Sequence, residues 1–349
     1  MALSETAQLW LTAVLSGLFA GLVAILVTVA IERTGGLLGG VLGTLPTTIV
    51  PASIGLALQV ASSEDLQTAM ATVPVGMLID GVYLLQWRYL PPMLPAAWAP
   101  STKLLATTAG STLLWLALAG GVLAAEDAVR SAGGHSAVQA MGVAAMVGTG
   151  VLGVLGGWRL PPSPPGNKKV SVGVMALRGV FAGVAILAAV LLGRASSALA
   201  GLVSVFPAIF FTTMVALWLS QGAAVGIGAV SPMVLGSGSV SLFATVFAFA
   251  QPAVGTAAAV AIAWPVAALG WSLPSVLYLR WRRGAAPAAP GLPQGPQHST
   301  VGRGSDGDGV QLLAVSTAAA VAAGAAADSS GEDGDEGFPT VQALQQGTV

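Results

Sequence analysis

Few side chains of this 349-residue sequence are suited to chemistry, and the most conspicuous of them is an acid inside an apolar stretch. Asp80 stands in that stretch, and Arg178 is a base inside another one. A charged side chain within a membrane helix costs roughly 2.5–3.5 kcal/mol on insertion scales, so it normally faces the protein interior and often marks a pathway. Asp80 is therefore a candidate coupling or gating group, and the alternative is a structural hydrogen bond.

Hydroxyl side chains cluster beside prolines in two apolar segments. The first reads GGLLGGVLGTLPTTIVPAS around Pro46, and the second has the same kind of break at Pro207. Proline frees the carbonyl one turn earlier, and in hydrocarbon a freed carbonyl must find another partner. Glycine- and proline-interrupted segments at matching places indicate a transport site, although a proline-kinked helix whose threonines bond their own backbone is the other interpretation. The residues that we assign to a substrate or ion pathway are Thr44, Pro46, Thr47, Thr48, Asp80, Arg178, Ser204 and Pro207.

The same set of residue types argues against catalysis. Aspartyl proteolysis needs two intramembrane acids, and Asp80 has no companion; His135 and His298 fall in a predicted loop and in the tail, so a serine nucleophile has no base. The chain has no cysteine and no cluster of metal-ligating residues along the sequence. No phosphate-binding or dinucleotide motif is present. We therefore expect no enzyme, no metal, no cofactor and no nucleic-acid partner.

The elements that position these residues are membrane helices. The sequence is 55% hydrophobic and 8% charged, whereas a soluble domain carries about 25% charged residues. A span needs about 20 mostly apolar residues. Nine stretches meet this requirement, which predicts an all-α polytopic transmembrane bundle: 9–31, 36–58, 68–87, 104–124, 138–158, 172–193, 196–219, 223–250 and 253–279. The proline-rich connections 91–100 and 161–165 are expected to stay outside the helices.

Lysine and arginine set the orientation of these spans. If all nine cross, one side collects nine basic residues and the other collects Arg130 and Arg194. Positive residues favour the cytoplasm, so we expect the amino terminus outside and the carboxyl terminus inside. Re-entrant second and seventh segments would move Arg88 and Lys103 outside, which fits less well. Five tryptophans near span ends suggest an aromatic belt: Trp10, Trp87, Trp98, Trp158 and Trp281.

Asp80 and Arg178 lie at similar depth in this arrangement. Each is six or seven residues from the cytoplasmic end of its segment, which is roughly 9–10 Å at about 1.5 Å per residue. The matched depth predicts an ion pair between them. The alternative for Arg178 is to extend its guanidinium to the cytoplasmic headgroups.

The carboxyl-terminal part has a different composition. Residues 284–349 are rich in Gly, Ala, Pro and acid, which cannot bury enough apolar surface to order itself. We predict a disordered tail there, with the Ala-rich run 310–327 as the alternative of a tenth membrane helix.

An internal repeat divides the membrane part. Its offset drifts from 162 residues (Gly17 to Gly179) to 158 (Pro74 to Pro232). Five predicted spans separate the starts of the copies, and an odd number makes them inverted, as in many secondary transporters. We therefore assign repeat 1 with a linking helix to 1–160 and repeat 2 to 161–283. The paired blocks are Ser16–Gly21 with Arg178–Gly183, Leu38–Pro46 with Leu199–Pro207, and Pro74–Leu85 with Pro232–Phe243.

The second copy resembles a known family. Ala200–Pro207 (AGLVSVFP) is similar to the AGL-x-x-x-FP block of the small GlpM-like bacterial membrane proteins, whose chains are about half this size. The resemblance implies a fused duplication of such a unit, and it carries no functional residue with it.

Two functions fit these features. The first is a small-solute or ion transporter whose partners are the bilayer and a small polar solute or monovalent cation, bound between Pro46 and Pro207. The alternative is a non-catalytic membrane scaffold or assembly factor that packs through glycine-rich helices. A transporter predicts polar groups around a cavity, and a scaffold predicts a solid bundle.

Overall fold

The computed structural model describes residues 4–34, 45–158 and 171–285, and every regular element in these ranges is helical. The described residues belong to one compact unit, Met1–His298. The predicted tail lies outside them from residue 286 onward, as does most of the glycine-rich start of the second predicted segment, 35–44.

The helices follow the predicted segments. Within the described ranges, six stretches are long and apolar enough to cross a membrane: α1, α3, α4, α5, α6 with α7, and α8 with α9. The chain is therefore an all-α, multi-pass integral membrane protein. The elements are α1 (Glu5–Thr34), α2 (Ile49–Gln59), α3 (Ser63–Met93), α4 (Pro100–Trp158), α5 (Val172–Leu192), α6 (Ser197–Ser204), α7 (Ala208–Gln221), α8 (Ala223–Ala267), a π-helical turn (Ala268–Ser272) and α9 (Leu273–Ala285).

Helix α4 is a hairpin of two rods. Its 59 residues would measure roughly 90 Å if straight, about three times the hydrocarbon thickness. The backbone leaves the helical conformation at Gly133 and Gly134, where Gly134 has φ 63°. The first rod runs antiparallel to α3, since Trp115 contacts Asp80 and the earlier Gly110 lies by the later Leu90. The second rod runs parallel to α3, since His135 contacts Thr68 and the later Gly156 lies by the later Leu85.

Helix α8 folds back on itself in a second hairpin, and the returning rod continues through the π-helical turn into α9. Its turn is at Gly255, whose φ of 78° lies in the left-handed region that favours glycine. Beyond the turn the chain folds back, so that the Trp271 indole N–H donates to the Leu235 carbonyl at 2.7 Å. The predicted eighth and ninth segments are the two rods of this hairpin.

Three helices begin at serines that cap them. Ser62, Ser171 and Ser196 each accept a hydrogen bond from the backbone N–H three residues later, at the starts of α3, α5 and α6. A capping hydroxyl satisfies one of the amides that a helix start leaves without an intrahelical partner.

Helix α3 is the centre of the bundle. Of the residues in its most apolar stretch 83% are buried, against 33% in α1 and in α5. It packs against α4, α6 and α8. The large exposed side chains of α1 and α5 include leucine, valine and phenylalanine, as expected for surfaces that face lipid.

Two expectations about the end of α3 are wrong. The region 91–100 is predicted to lie outside the helices, but α3 continues through Pro91 and Pro92 to Met93. A helix tolerates prolines near its end because the carbonyls that they free there can turn to other partners. Trp87, predicted to lie in an aromatic belt, is fully buried, whereas Trp10 is 52% exposed.

Candidate functional site

The break between α6 and α7 falls at the predicted proline. Helix α6 ends at Ser204, and Pro207 caps α7, which begins at Ala208. The amides of Val205 and Phe206 bond carbonyls three residues earlier instead of continuing the helix. The Ser204 hydroxyl donates to the Gly201 carbonyl at 2.7 Å. The sequence therefore places a short non-helical link, residues 205–207, inside an apolar segment. The backbone polar groups of this link must find partners outside a regular helix.

The other proline break precedes α2. Leu45 to Thr48 are non-helical, and α2 begins at Ile49. Pro46 is buried, and the Thr47 hydroxyl donates to the Leu45 carbonyl at 3.3 Å. Thr48 is the N-cap residue, yet its side chain makes no capping bond in the described structure. The Thr48 hydroxyl is thus better placed to serve a ligand than that of Thr47.

The two breaks meet at one cavity of about 60 Å³. Leu45 and Thr48 line it from the first break, and Ser204 and Pro207 line it from the second. Asp80 of α3 lines it as well. Since one water needs about 10–15 Å³ of such space, the cavity is sized for roughly four waters or a small solute.

Asp80 is the ionisable side chain in the described wall of this cavity. Asp80 is 0% exposed, and one of its carboxyl oxygens accepts the Trp115 indole N–H at 2.7 Å. The other oxygen, Oδ2, is buried and has no hydrogen-bond partner among the described residues. The Trp115 ring meets Phe206 edge-on, with 5.1 Å between centroids, so the acid is tied to the second break through one indole.

Most predicted pathway residues come together around this cavity. Thr48, Asp80, Ser204 and Pro207 line it. Pro46 and Thr47 lie in the same break, although neither lines the cavity wall. Thr44 falls outside the residues that the structure describes.

The expected ion pair between Asp80 and Arg178 is not formed. Arg178 is 6% exposed, and its guanidinium donates to the Thr213 hydroxyl of α7 at 2.8 Å. The alternative, in which Arg178 extends its guanidinium to the headgroups, does not match this contact either, because the side chain is buried against Thr213. Equal depth in two helices fixes the level of two side chains but not the direction in which each one points.

Sequence reasoning missed Trp115, although a signal for it was present. Trp115 lies in the middle of a predicted span, where an indole N–H usually finds an acceptor. Asp80 was the acid predicted inside the membrane, which makes it one candidate acceptor, but the rotation of the two helices that brings them together is not fixed by the sequence.

The chemistry available here is that of binding. The two helix breaks place Thr48 and Ser204, which carry hydroxyls, in the cavity wall. Asp80 supplies a carboxyl oxygen that can take a proton or, once ionised, face a cation. Among the described residues no three His, Asp or Glu side chains group as metal ligands do.

Comparison with known proteins gives no relative. The chain matches no protein-family model, no curated protein and no solved structure. Its function therefore has to be inferred from the cavity, and the resemblance to GlpM-like proteins stays a prediction.

Proposed function

We propose that this protein transports a small polar solute or a monovalent cation through the cavity at the two helix breaks. The observation that carries the proposal is the meeting of both breaks with a buried carboxylate around one space. Charged side chains inside a membrane are expensive and normally serve a pathway when they face the protein interior. The hydroxyls of Thr48 and Ser204, with ionised Asp80 as the charged partner, would replace part of the hydration shell of a small ligand.

The size of the cavity limits the ligand. About 60 Å³ suits a dehydrated monovalent cation with a few waters, or a solute of only a few non-hydrogen atoms. Apolar side chains such as Ile186 and Val240 complete the wall. A larger organic substrate would need the bundle to open first.

We also infer that the two halves are inverted copies related by a pseudo-two-fold axis between α1 and α5. Reciprocal contacts support this. A Cβ on Gly17 would lie 2.7 Å from the Gly183 carbonyl, and one on Gly21 would lie 2.7 Å from the Gly179 carbonyl. Gly17 corresponds to Gly179 in the repeat, and Gly21 corresponds to Gly183. The repeat therefore maps the Gly17–Gly183 contact onto the Gly179–Gly21 contact, as a two-fold axis requires.

A second pair of contacts supports the same axis. Trp115 lies against Asp80, and Trp271 lies so close to Gly238 that any Cβ there would overlap the indole ring. Asp80 and Gly238 are equivalent in the repeat with an offset of 158 residues, and the tryptophans continue the drift of the offset to 156 residues. Inverted repeats with broken helices at their interface are a common design of secondary transporters.

The scaffold hypothesis gains less support. A scaffold needs a solid bundle with an exposed face for its partner. Nothing in the described helices shows that such a face would depend on a buried carboxylate. Asp80 beside a cavity is a costly arrangement unless a ligand or proton uses it.

The proposal is tested with purified protein in liposomes. Uptake of labelled monovalent cations, proton flux by an internal pH dye, and swelling in small neutral solutes are measured against empty liposomes. We expect flux for one of these classes and its loss in Asp80→Asn. The absence of flux in all three assays, or wild-type flux in Asp80→Asn, would refute transport at this site.

Thr48 and Thr47 provide a matched comparison. Thr48→Val removes a hydroxyl from the cavity wall, and loss of one neutral hydrogen bond of about 0.5–1.5 kcal/mol weakens affinity roughly 2- to 12-fold. Thr47→Val makes the same change one residue away, at a hydroxyl that bonds its own backbone. Equal loss of apparent affinity in the two variants would argue against ligand contact at Thr48.

A further inference from the structure

Buried polar side chains continue away from Asp80 along the interface between α3 and the first rod of α4. On α3, Tyr83 and Trp87 follow Asp80 at spacings of three and four residues, so all three share one face of the helix. On α4, Ser111 and Thr108 precede Trp115 at the same kind of spacing. All five of these neighbours of Asp80 are buried. We call Tyr83, Trp87, Thr108 and Ser111 the polar file.

The register of the two helices aligns the members of the file. Trp115 contacts Asp80, and the Tyr83 hydroxyl lies near the side chains of Thr112 and Trp87 without meeting hydrogen-bond geometry. The antiparallel rods therefore keep polar groups facing each other as the chain moves from Asp80 toward Trp87. Seven residues at about 1.5 Å each make the file roughly 10 Å long.

The polar atoms of the file are not satisfied by the protein. The Tyr83 hydroxyl, the Trp87 indole nitrogen, the Thr108 hydroxyl and the Ser111 hydroxyl are buried and have no hydrogen-bond partner in the described part of the chain. Each such group costs about 1–3 kcal/mol when it is left unpaired. Buried water is what normally satisfies polar groups of this kind.

The file points to the end of the bundle where α3 ends and α4 begins. Residues 95–99 of the connecting loop are exposed. The topology predicted from the basic residues places this loop in the cytoplasm. The cavity lies at the other end of the file, on Asp80.

We propose that the polar file conducts protons between Asp80 and the aqueous phase at the α3–α4 loop. This rests on the proposed transport function and names the proton as its coupling ion. The O–H bond of the protonated carboxyl breaks, and the proton passes to a water in the file while the electron pair stays on the carboxylate. Successive waters then relay it outward, held by the hydroxyls of Tyr83, Ser111 and Thr108, and the reverse sequence reloads Asp80.

The chemistry of the file favours protons over metal cations. Hydroxyls can accept and donate a hydrogen bond, and an indole N–H orients water, but the file contains no carboxylate to replace a cation's hydration shell. The bulky rings of Tyr83 and Trp87 are fully packed. A single file of waters suffices for proton hopping, whereas a hydrated cation needs more room.

Access of water to the file is tested with cysteines, since the chain has none of its own. Ser111→Cys and Thr108→Cys are transferred into D₂O, and exchange of the thiol proton is timed from the infrared S–H stretch. The thiol proton exchanges only where water reaches it, so we expect exchange roughly 10-fold faster than in Ala119→Cys. Ala119 is the matched control, because it is buried on the same face of α4 beyond Asp80. Equal exchange rates in the three variants would overturn the route.

Proton exchange at Asp80 is measured directly by infrared difference spectroscopy. The carboxyl band that is missing in Asp80→Asn reports this group, and its hydrogen–deuterium exchange is timed after rapid mixing. We expect Thr108→Val to slow exchange several-fold. Thr107→Val should leave it unchanged, because the Thr107 hydroxyl already donates to the Lys103 carbonyl at 2.7 Å. The same exchange rate in both variants would contradict the file.

The two proposals fail separately. Thiol protons that exchange no faster than in Ala119→Cys and an unchanged Asp80 exchange rate, together with a flux that Asp80→Asn abolishes, would remove the file and leave transport standing. Fast thiol exchange and slowed Asp80 exchange in Thr108→Val, without flux in any liposome assay, would keep the proton route and remove transport.

Discussion

Replacing Trp115 by Phe removes the indole N–H that Asp80 accepts, while an aromatic ring remains to pack against Phe206. The bond is short, at 2.7 Å, and its acceptor is a carboxylate whenever Asp80 has released its proton. Hydrogen bonds to charged groups contribute about 1.5–3 kcal/mol, compared with about 0.5–1.5 kcal/mol for neutral pairs. Trp115→Phe also leaves both oxygens of Asp80 without a donor among the described residues. With Asp80 ionised, we therefore expect it to lower the free energy of unfolding by about 2–3 kcal/mol.

A double-mutant cycle isolates this bond from the loss of ring volume. Asp80→Leu replaces the carboxylate by an apolar group of similar shape, and Trp115→Phe is then measured in that background. In the Asp80→Leu background the indole has no carboxylate to bond, so Trp115→Phe should cost less there than in the wild type. We expect this difference, the coupling free energy, to be about 1.5–3 kcal/mol. Unfolding is followed by far-ultraviolet circular dichroism while sodium dodecyl sulfate is titrated into dodecylmaltoside micelles.

Trp271 is the matched control for this cycle. Its indole N–H donates to the Leu235 backbone carbonyl at 2.7 Å, so Trp271→Phe removes the same atoms from a neutral bond. We expect about 1 kcal/mol for this change and a coupling to Asp80→Leu within about 0.5 kcal/mol of zero. A coupling below about 0.5 kcal/mol for Trp115, or an equal coupling for Trp271, would show that the Asp80 bond does not hold the helices as reasoned.

Three further changes test the rest of the structure. Ser63→Cys should be labelled by an impermeant reagent added to intact cells, and Ser299→Cys only after the cells are opened. Labelling of Ser299→Cys in intact cells would reverse the topology. Deleting 290–349 should leave a monodisperse peak in detergent, because that composition adds no packed core; a lost peak would contradict this. Gly201→Val should lower the free energy of unfolding by about 1–3 kcal/mol through overpacking, since a Cβ there overlaps the Thr72 hydroxyl, whereas Gly121→Ala meets nothing within 4 Å and should not.

The sequence was informative about the elements because membrane helices obey simple constraints. A run of about 20 apolar residues is a span, and each predicted segment falls on helix where the structure describes it, apart from short breaks such as those at Pro46 and Pro207. Proline fixed the break at Pro207, since it removes an amide that the helix would need. The end of α3 was harder to predict, because Pro91 and Pro92 occupy its last turn, where the lost amides matter least.

The site was predicted in part for a similar reason. A proline break and an intramembrane acid are local features, so the sequence alone is enough to name Thr48 and Asp80 as cavity residues. Contacts across helices depend on rotation about each axis, which depth alone does not fix. Arg178 consequently bonds Thr213 instead of Asp80. Thr47 likewise turns to the Leu45 carbonyl, because the hydroxyl of a non-helical residue can reach its own backbone.

The difference between Asp80 and Gly238 bears on how an inverted repeat would work. Two equivalent acids in one apolar bundle would each require a counter-charge or a proton, and like charges would raise the cost further. Here the second position is closed to any side chain, because the Trp271 ring fills the space that a Cβ on Gly238 would occupy. The first position leaves room for a carboxylate, which Trp115 orients through one oxygen while the other has no hydrogen-bond partner among the described residues. If the halves exchange roles as the cavity opens to either side, the charge travels with repeat 1 alone, and coupling depends on which side Asp80 can reach.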